Sequence, residues 1–346
     1  MKKIRAAVVG LGRIGWGTHI PNILKKPDCF QLAAVVDLSE ERLAEAKEKY
    51  GVPGYRDISD MIAAEHPDLV VIASPTHLHR DHACTALERG CDVFLDKPMA
   101  ATYAQAQEIV RCAKERGRKI MVYQPRRADA IPNQLMAIVA SGKIGTLRSI
   151  RRSYGAYVRR ADWQAFRKFG GGMLNNYGAH QIDAALYMTG EKVSRLFCAK
   201  DTVATAGDAD DVVKIFFQME SGLTVDIDIN QAAGVSAADW VLNGTCGGII
   251  SQISPEGKQQ FRVRWFDPAA LPPITASDAL AAANRSYNND VPIPWQEEIL
   301  PLDQAYAIDF YGKVYEYFGE DKAPYVPVEQ TLYVMELIDR CHKDAQ

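Results

Sequence analysis

The segment Gly10-Leu11-Gly12-Arg13-Ile14-Gly15 constrains this chain more than any other, because its glycines fall between an apolar run and a helical stretch. Residues 4–9, IRAAVV, stop at the first glycine, as a strand buried in a parallel sheet does. A helix is predicted from about Ile14 to Lys26, closed by Pro27. Each glycine then has its own physical role. Gly10 permits a tight turn, Gly12 lets main chain approach a pyrophosphate, and Gly15 lets the helix lie close to its strand. Arg13 and Ile14 share the turn whose free N–H groups face the phosphates. A second apolar run, Leu32–Val36, ends at Asp37. A carboxylate there accepts from the adenosine ribose hydroxyls and repels a 2′-phosphate. Leu38 and Ser39 follow it, and Arg42 lies a full turn into the next helix, so the pattern predicts NAD in preference to NADP.

The rest of the first 124 residues repeats this alternation. A helix is predicted over Glu40–Tyr50, capped by Ser39 and stopped at Gly51, then a strand at Leu69–Ala73 and a helix over His82–Arg89. Asp92–Leu95 is a strand, Tyr103–Arg116 a helix and Lys119–Tyr123 a last strand. Strands and helices in alternation make a parallel sheet covered on both faces. After Tyr123 the pattern changes. Helices are predicted over Pro132–Ala140 and Met173–Met188, with a stretch rich in Arg, Tyr and Ser, Leu147–Val158, between them. Strand-like runs follow at 193–200, 212–219, 223–229, 240–243, 249–253 and 261–266, several separated by tight turns. Residues 267–300 read as a surface excursion, and helices near 303–318 and 328–342 close the chain. The fold class is therefore an α/β domain of Rossmann type over 1–124, and an α+β domain with an open, mainly antiparallel sheet over 125–346.

Composition narrows the function classes. The 346 residues suit two cores rather than one. With 40 basic and 43 acidic residues the net charge is −3, which leaves no global field for nucleic acid or a membrane surface. No apolar run approaches the roughly 20 residues of a membrane span, and the N-terminal apolar run meets glycine too early for a signal peptide. Seven scattered cysteines with no CxxC spacing predict reduced thiols in the cytoplasm.

Three further segments carry a resemblance: Ser74-Pro75-Thr76-His77-Leu78-His79, Asp96-Lys97-Pro98, and the run Gly170-Gly171-Gly172-Met173-Leu174-Asn175-Asn176-Tyr177-Gly178-Ala179-His180-Gln181-Ile182-Asp183. In this order, after the glycine fingerprint, the chain resembles the glucose–fructose oxidoreductase, inositol dehydrogenase and rhizopine catabolism (Gfo/Idh/MocA) family. The resemblance spans residues 10 to 183. It implies that Ser74, Pro75, Thr76, His79, Asp96 and Lys97 face the cofactor, and that the peptide before Pro98 is cis. It also implies that Lys97 and His180 are catalytic, sharing the proton of a substrate hydroxyl as hydride leaves the same carbon. Where many members have Asp, this chain has Asn176, whose amide orients a hydroxyl but offers no charge to an imidazolium. His180 and Asp183, three residues apart, share a helix face.

Arg126, Tyr157, Arg160, Trp163 and Arg167 are expected around the mouth of the site, where aromatic faces beside donors suit a polyhydroxylated ring. The arginines between 126 and 160 also fit a strand with a solvated face. His77, His79 and His82 lack a Cys or carboxylate to complete a familiar set, so no metal is expected. The expected function is reversible hydride transfer between a nicotinamide and a secondary alcohol of a sugar or cyclitol, by a homodimer or homotetramer. Two alternatives within the resemblance stay open: a nucleotide sensor without turnover, and NAD-dependent glycoside cleavage.

Overall fold

The computed structural model describes residues 3–276 and 291–345. Six strands form the first sheet: β1 (Ile4–Val9), β2 (Phe30–Val36), β3 (Gly54–Tyr55), β4 (Leu69–Ile72), β5 (Asp92–Asp96) and β6 (Ile120–Tyr123). All pairs are parallel and the order is β3-β2-β1-β4-β5-β6. The order reverses between β1 and β4, so their carboxyl ends open a crevice there, where ligands bind in doubly wound sheets. β4 reads as a continuous apolar run, and β1 as one interrupted only by Arg5, because helices cover both faces.

Helix α1 (Ile20–Leu24) is shorter than the sequence predicts. Residues Gly15–His19 make a wider π-turn first, in which the Ile20 N–H reaches the carbonyl of Gly15. Pro21 has no N–H to offer the carbonyl of Gly17, so a regular ladder cannot pass through this point. Helix α2 (Glu40–Tyr50) has the predicted bounds, with Ser39 accepting from the Arg42 N–H and Gly51 left-handed beyond its end. Helix α3 (Ile58–Glu65), for which the sequence carries no expectation, is capped by Asp57, whose carboxylate accepts from Ser59 and Asp60. Helices α4 (His79–Glu88) and α5 (Tyr103–Arg116) complete the cover.

After α6 (Ala130–Ala140) the chain builds an eight-stranded sheet. Its strands are β7 (Leu147–Gly155), β8 (Val193–Asp201), β9 (Val212–Met219), β10 (Thr224–Asn230), β11 (Trp240–Gly244), β12 (Gly247–Ile253), β13 (Gln259–Trp265) and β14 (Gln296–Pro301). The order is β14-β13-β12-β11-β7-β10-β9-β8, antiparallel except where β10 lies parallel to β7. Alternate residues such as Ile215, Phe217, Ile227 and Leu242 are fully buried on the inner face. Helices α7 (Ala179–Thr189) and α9 (Val328–Asp344) pack on that side.

Three sequence expectations are corrected here. Residues 296–300, the end of the surface excursion expected over 267–300, form with Pro301 the edge strand β14, while 277–290 lie outside the described residues. Polar residues and two nearby prolines disguise β14, as is usual at an edge. It is held across the strands by Arg262, which donates to Glu297 at 2.7 Å. Helix α8 (Phe310–Glu320) begins later than predicted and returns to the first sheet, where Phe310, Tyr311 and Val314 share one apolar cluster with Val8 and Phe94. Arg127, expected in a solvated basic patch, is 2% exposed and makes a bidentate pair with Asp183, at 2.9 and 2.6 Å.

Candidate active site

A cavity of about 570 Å³ runs from the glycine fingerprint to the second domain. The fingerprint end is shaped by sterics. Gly10 has φ +95°, and a Cβ there would meet the carbonyl of Ala73 at 2.7 Å. A Cβ on Gly15 would lie 1.8 Å from the carbonyl of Gly10, so Gly15 sits beneath the cavity and sets the helix against the turn. Gly12 has nothing within 4 Å on its open side, leaving its main chain approachable. Arg13 and Ile14 line the same end. A turn of this shape could receive a pyrophosphate, and Asp37 at the same end could take a ribose.

Asp37 is already anchored. Its Oδ2 accepts from the Leu11 N–H at 2.7 Å and its Oδ1 from the Ser39 N–H at 3.0 Å. Arg42 stands 3.5 Å from Oδ2 and also lines the cavity, closer than its place in the sequence implies.

The loop after β4 brings Ser74, Pro75, Thr76 and His79 to the wall. The buried His79 ring lies 2.9 Å from the carbonyl of Pro98 through Nδ1 and 2.8 Å from that of Ser74 through Nε2. It thus ties the loop after β4 to the loop after β5. Burial outweighs both carbonyls and pushes its pKa down to about 4.

Asp96, Lys97 and a cis Lys97–Pro98 peptide follow β5. Burial pushes the Asp96 carboxyl up to about 6, against the pull of Lys97. Lys97 Nζ donates to Asn176 Oδ1 at 2.6 Å and to the Asn176 carbonyl at 3.1 Å. Burial lowers this ammonium to about 8, and Arg126, Arg13 and Arg160 oppose its charge while Asp96 supports it. An amine with that poise holds or releases a proton near neutral pH.

Asn176 lies in a second π-turn, Leu174–Gly178, where the sequence predicts regular helix. His180 follows in the first turn of α7, buried on the same cavity wall. Burial holds its pKa well below the usual histidine value, with Lys97 and Arg126 adding to the effect. Its Nδ1 has no hydrogen-bond partner among the described residues. Asp183, on the same helix, is taken up by Arg127 and lends His180 no charge. The Asn176 amide donates to Gln164 Oε1 at 3.2 Å, and the same oxygen accepts from Arg160. A hydrogen-bonded chain thus runs from Lys97 through two amides to a guanidinium.

Two models of one family match the chain: "Oxidoreductase family, NAD-binding Rossmann fold" over residues 4–124, and "GFO/IDH/MocA C-terminal domain" over residues 133–250. The chain belongs to the Gfo/Idh/MocA oxidoreductase family. It is 32% identical over 198 residues to D-glucoside 3-dehydrogenase of Escherichia coli, a match covering 54% of each chain, so it spans about half the length of that relative. It is 30% identical over 237 residues to myo-inositol 2-dehydrogenase of Thermotoga maritima, covering 66% of this chain and 69% of that one. The crystal structure of an NAD-binding protein from Listeria innocua superposes with a TM-score of 0.82 at 23% identity, covering 99% of this chain and 95% of that one, and shows the shared fold.

Within this Gfo/Idh/MocA chain, Arg126, Arg160 and Trp163 line the cavity with Lys97, Asn176 and His180. The placement of Tyr157 at the mouth is corrected: it is 64% exposed, bridged to Ala232, and off the cavity. Arg167 is also off it. Gln164, Tyr123 and Tyr177 line the cavity, although the sequence does not single them out. Tyr177 stacks on Tyr154 at 4.1 Å between ring centroids, with a 2.9 Å hydrogen bond between their hydroxyls. Only proximity to Trp163 and to Asn176 points toward Gln164 and Tyr177. Among the described residues no helix is long and apolar enough to cross a membrane.

Proposed function

We propose that this chain is a cytoplasmic NAD-dependent dehydrogenase that interconverts a secondary alcohol and a ketone on a sugar or cyclitol. In this reading, residues 1–124 hold the cofactor, and 125–346 supply the substrate wall and the subunit contacts. The observation that carries it is the meeting of Lys97 from the first sheet with Asn176 and His180 from the second domain, on the cavity that the glycine cradle opens. Gly10, Gly12, Arg13 and Asp37 would hold the dinucleotide, which when bound supplies the hydride acceptor or donor. Lys97 and His180 then manage the hydroxyl proton: a neutral imidazole accepts it, and the amine at about 8 shares it. The amides of Asn176 and Gln164 orient ring hydroxyls, and Trp163 offers an apolar face. Asp37 supports NAD over NADP by its charge.

The relatives named D-glucoside 3-dehydrogenase and myo-inositol 2-dehydrogenase support the substrate class. The test is NADH formation with a panel of sugars and cyclitols, alongside NAD titration calorimetry and chromatography of the products. Saturable NADH formation is expected. Tight NAD binding without turnover would mean a sensor, which Asn176 in place of Asp favours. Sugar release without net NADH would mean glycoside cleavage.

A further inference from the structure

Two adjacent aspartates, Asp210 and Asp211, are buried next to the substrate end of the cavity without lining it. They share a small cleft with Arg160, Gln164 and Asn176, three residues of the cavity wall. The pair stands immediately before β9, a strand paired on both sides, with β8 and with β10. Main chain fixes this point further. The Asp211 N–H donates to the Asp201 carbonyl at 3.0 Å, and the Asp211 carbonyl accepts from the Gln231 N–H at 2.9 Å.

The two side chains brace different parts of the wall. Asp210 Oδ2 accepts from the Leu174 N–H at 2.8 Å, and the Asp210 carbonyl accepts from the Met173 N–H at 2.8 Å. These N–H groups open the π-turn that carries Asn176, whose own N–H donates to the Gly172 carbonyl at 3.0 Å. Gly172, at φ +103°, leaves room for the brace: a Cβ there would lie 2.7 Å from Asp210 Oδ1. Lys97 donates twice into that turn, and α7 with His180 continues from it. Asp211 instead takes three successive N–H groups: Val203 at 2.8 Å on Oδ1, then Ala204 at 2.7 Å and Thr205 at 2.6 Å on Oδ2. The loop held in this way grips Arg160, whose carbonyl accepts from the Thr205 hydroxyl at 3.2 Å and the Ala206 N–H at 2.9 Å. Gln164 joins the two parts, since its Oε1 accepts both from Arg160 and from the Asn176 amide.

Resting on the dehydrogenase reading, we propose that Asp210 and Asp211 are positioning residues for the reaction. Through Asp210 one strand end sets the turn that holds Lys97 and leads to His180; through Asp211 it sets the Arg160–Gln164 arm that orients substrate. Removing such an acceptor leaves buried donors unpaired and frees the turn to shift. A misplacement of about 1 Å at the reacting groups costs about a hundredfold in rate. The two carboxylates also differ in what can replace them. Leu174 needs one oxygen, so an amide can stand in for Asp210. Three donors converge on both oxygens of Asp211, and an amide nitrogen accepts nothing, so an amide fails there.

The test combines kinetics on a substrate that the wild type oxidises, NAD titration and amide hydrogen exchange read by mass spectrometry. Asp210→Ala should lower kcat by about 10- to 100-fold, and Asp210→Asn should restore it to within about threefold. Asp211→Asn should raise KM for the sugar about three- to tenfold with kcat nearly kept, as the loss of one substrate-orienting hydrogen bond does. NAD affinity should stay near wild type in every variant. Exchange should quicken over 173–180 in Asp210→Ala and over 158–165 and 203–206 in Asp211→Asn, in proteins that thermal melts show to be folded. Where the alanine variant does not fold, the two asparagine variants carry the comparison, Asp210→Asn near wild type and Asp211→Asn with raised KM. Unchanged kinetics in folded variants, or the same losses from both asparagine variants, overturns the inference and leaves the dehydrogenase reading intact. No turnover by the wild type on the whole panel overturns the dehydrogenase reading, and the inference with it.

Discussion

The ammonium of Lys97 donates to Oδ1 of Asn176 at 2.6 Å, joining a residue at the end of a Rossmann strand to one in the second domain, 79 positions along the chain. This contact exists only when the two domains pack, and it places the amine on a neutral amide rather than on a carboxylate. Lys97→Met and His180→Ala should therefore leave NAD affinity near wild type, because the cradle and Asp37 lie at the other end of the cavity. Each should lower kcat by ~10²–10⁴, the range for a lost acid or base. Steady-state kinetics with NAD titration checks both parts. The double variant should lose less than the product of the singles if one proton path is shared.

Asn176→Asp puts a carboxylate where Lys97 now meets an amide. An opposite charge at that distance favours the ammonium, so the pKa held near 8 by burial should rise by about 1–3 units. The limb of the pH–rate profile that needs the neutral amine should move upward by the same amount. The nearby imidazole of His180 should gain basicity in the same variant. An unmoved profile over pH 6–10 would separate Lys97 from the proton path.

Removing Asp37 should do more than release a ribose. Its two oxygens also accept from the Leu11 and Ser39 N–H groups, so Asp37→Ala loosens the turn that carries the fingerprint. Hydrogen bonds to a charged group contribute about 1.5–3 kcal/mol, which corresponds to roughly a ten- to hundredfold weaker Kd for NAD. Arg42, 3.5 Å from Asp37, would be left without this carboxylate, so NADP should lose less affinity than NAD. Titration calorimetry with both dinucleotides reads the difference.

Stability should fall as pH drops below the ordinary histidine value. The His19 ring is wholly buried, 2.6 Å from the Tyr311 hydroxyl, and burial lowers it to about 3; His79 is lowered to about 4. Between pH 6.5 and those values the unfolded chain binds protons that the folded rings refuse. Their stabilisation is therefore present above about 6.5 and is lost on acidification. Thermal melts from pH 7.5 to 4 should show a falling midpoint, and His19→Gln should make the slope shallower by about one proton's worth. A midpoint independent of pH over that range would contradict the assignment.

The outer face of the large sheet predicts assembly. Phe197 and Phe216 stand opposite each other across β8 and β9, 57% and 43% exposed, and Ile299 is 53% exposed on β14. Apolar side chains spread over one broad sheet face favour burial against a second copy. Light scattering should give a dimer or tetramer at micromolar concentration, and Phe197→Asp with Phe216→Asp should shift it toward monomer. A wild-type monomer would refute the proposal.

What the sequence determined by itself was whatever depends on neighbours along the chain. The bounds of α2 and α5 are those expected, because an N-cap side chain and a left-handed glycine mark each end locally. The parallel sheet and its crevice were legible because strand period and glycine spacing are short-range patterns. Only the tertiary structure decided the fate of the charges. Nothing near Arg127 distinguishes it from Arg126, yet one is sealed against Asp183 and the other lines the cavity. Nor does any local signal show that Asp183 is unavailable to His180, that Tyr157 lies off the cavity, or that α8 returns to the first sheet. The strand β14 was hidden for the same reason: its polar alternation acquires meaning only beside the arginines of β13. Burial and pairing are properties of residues far apart in sequence, and they set whether a given arginine braces a helix or faces a ligand.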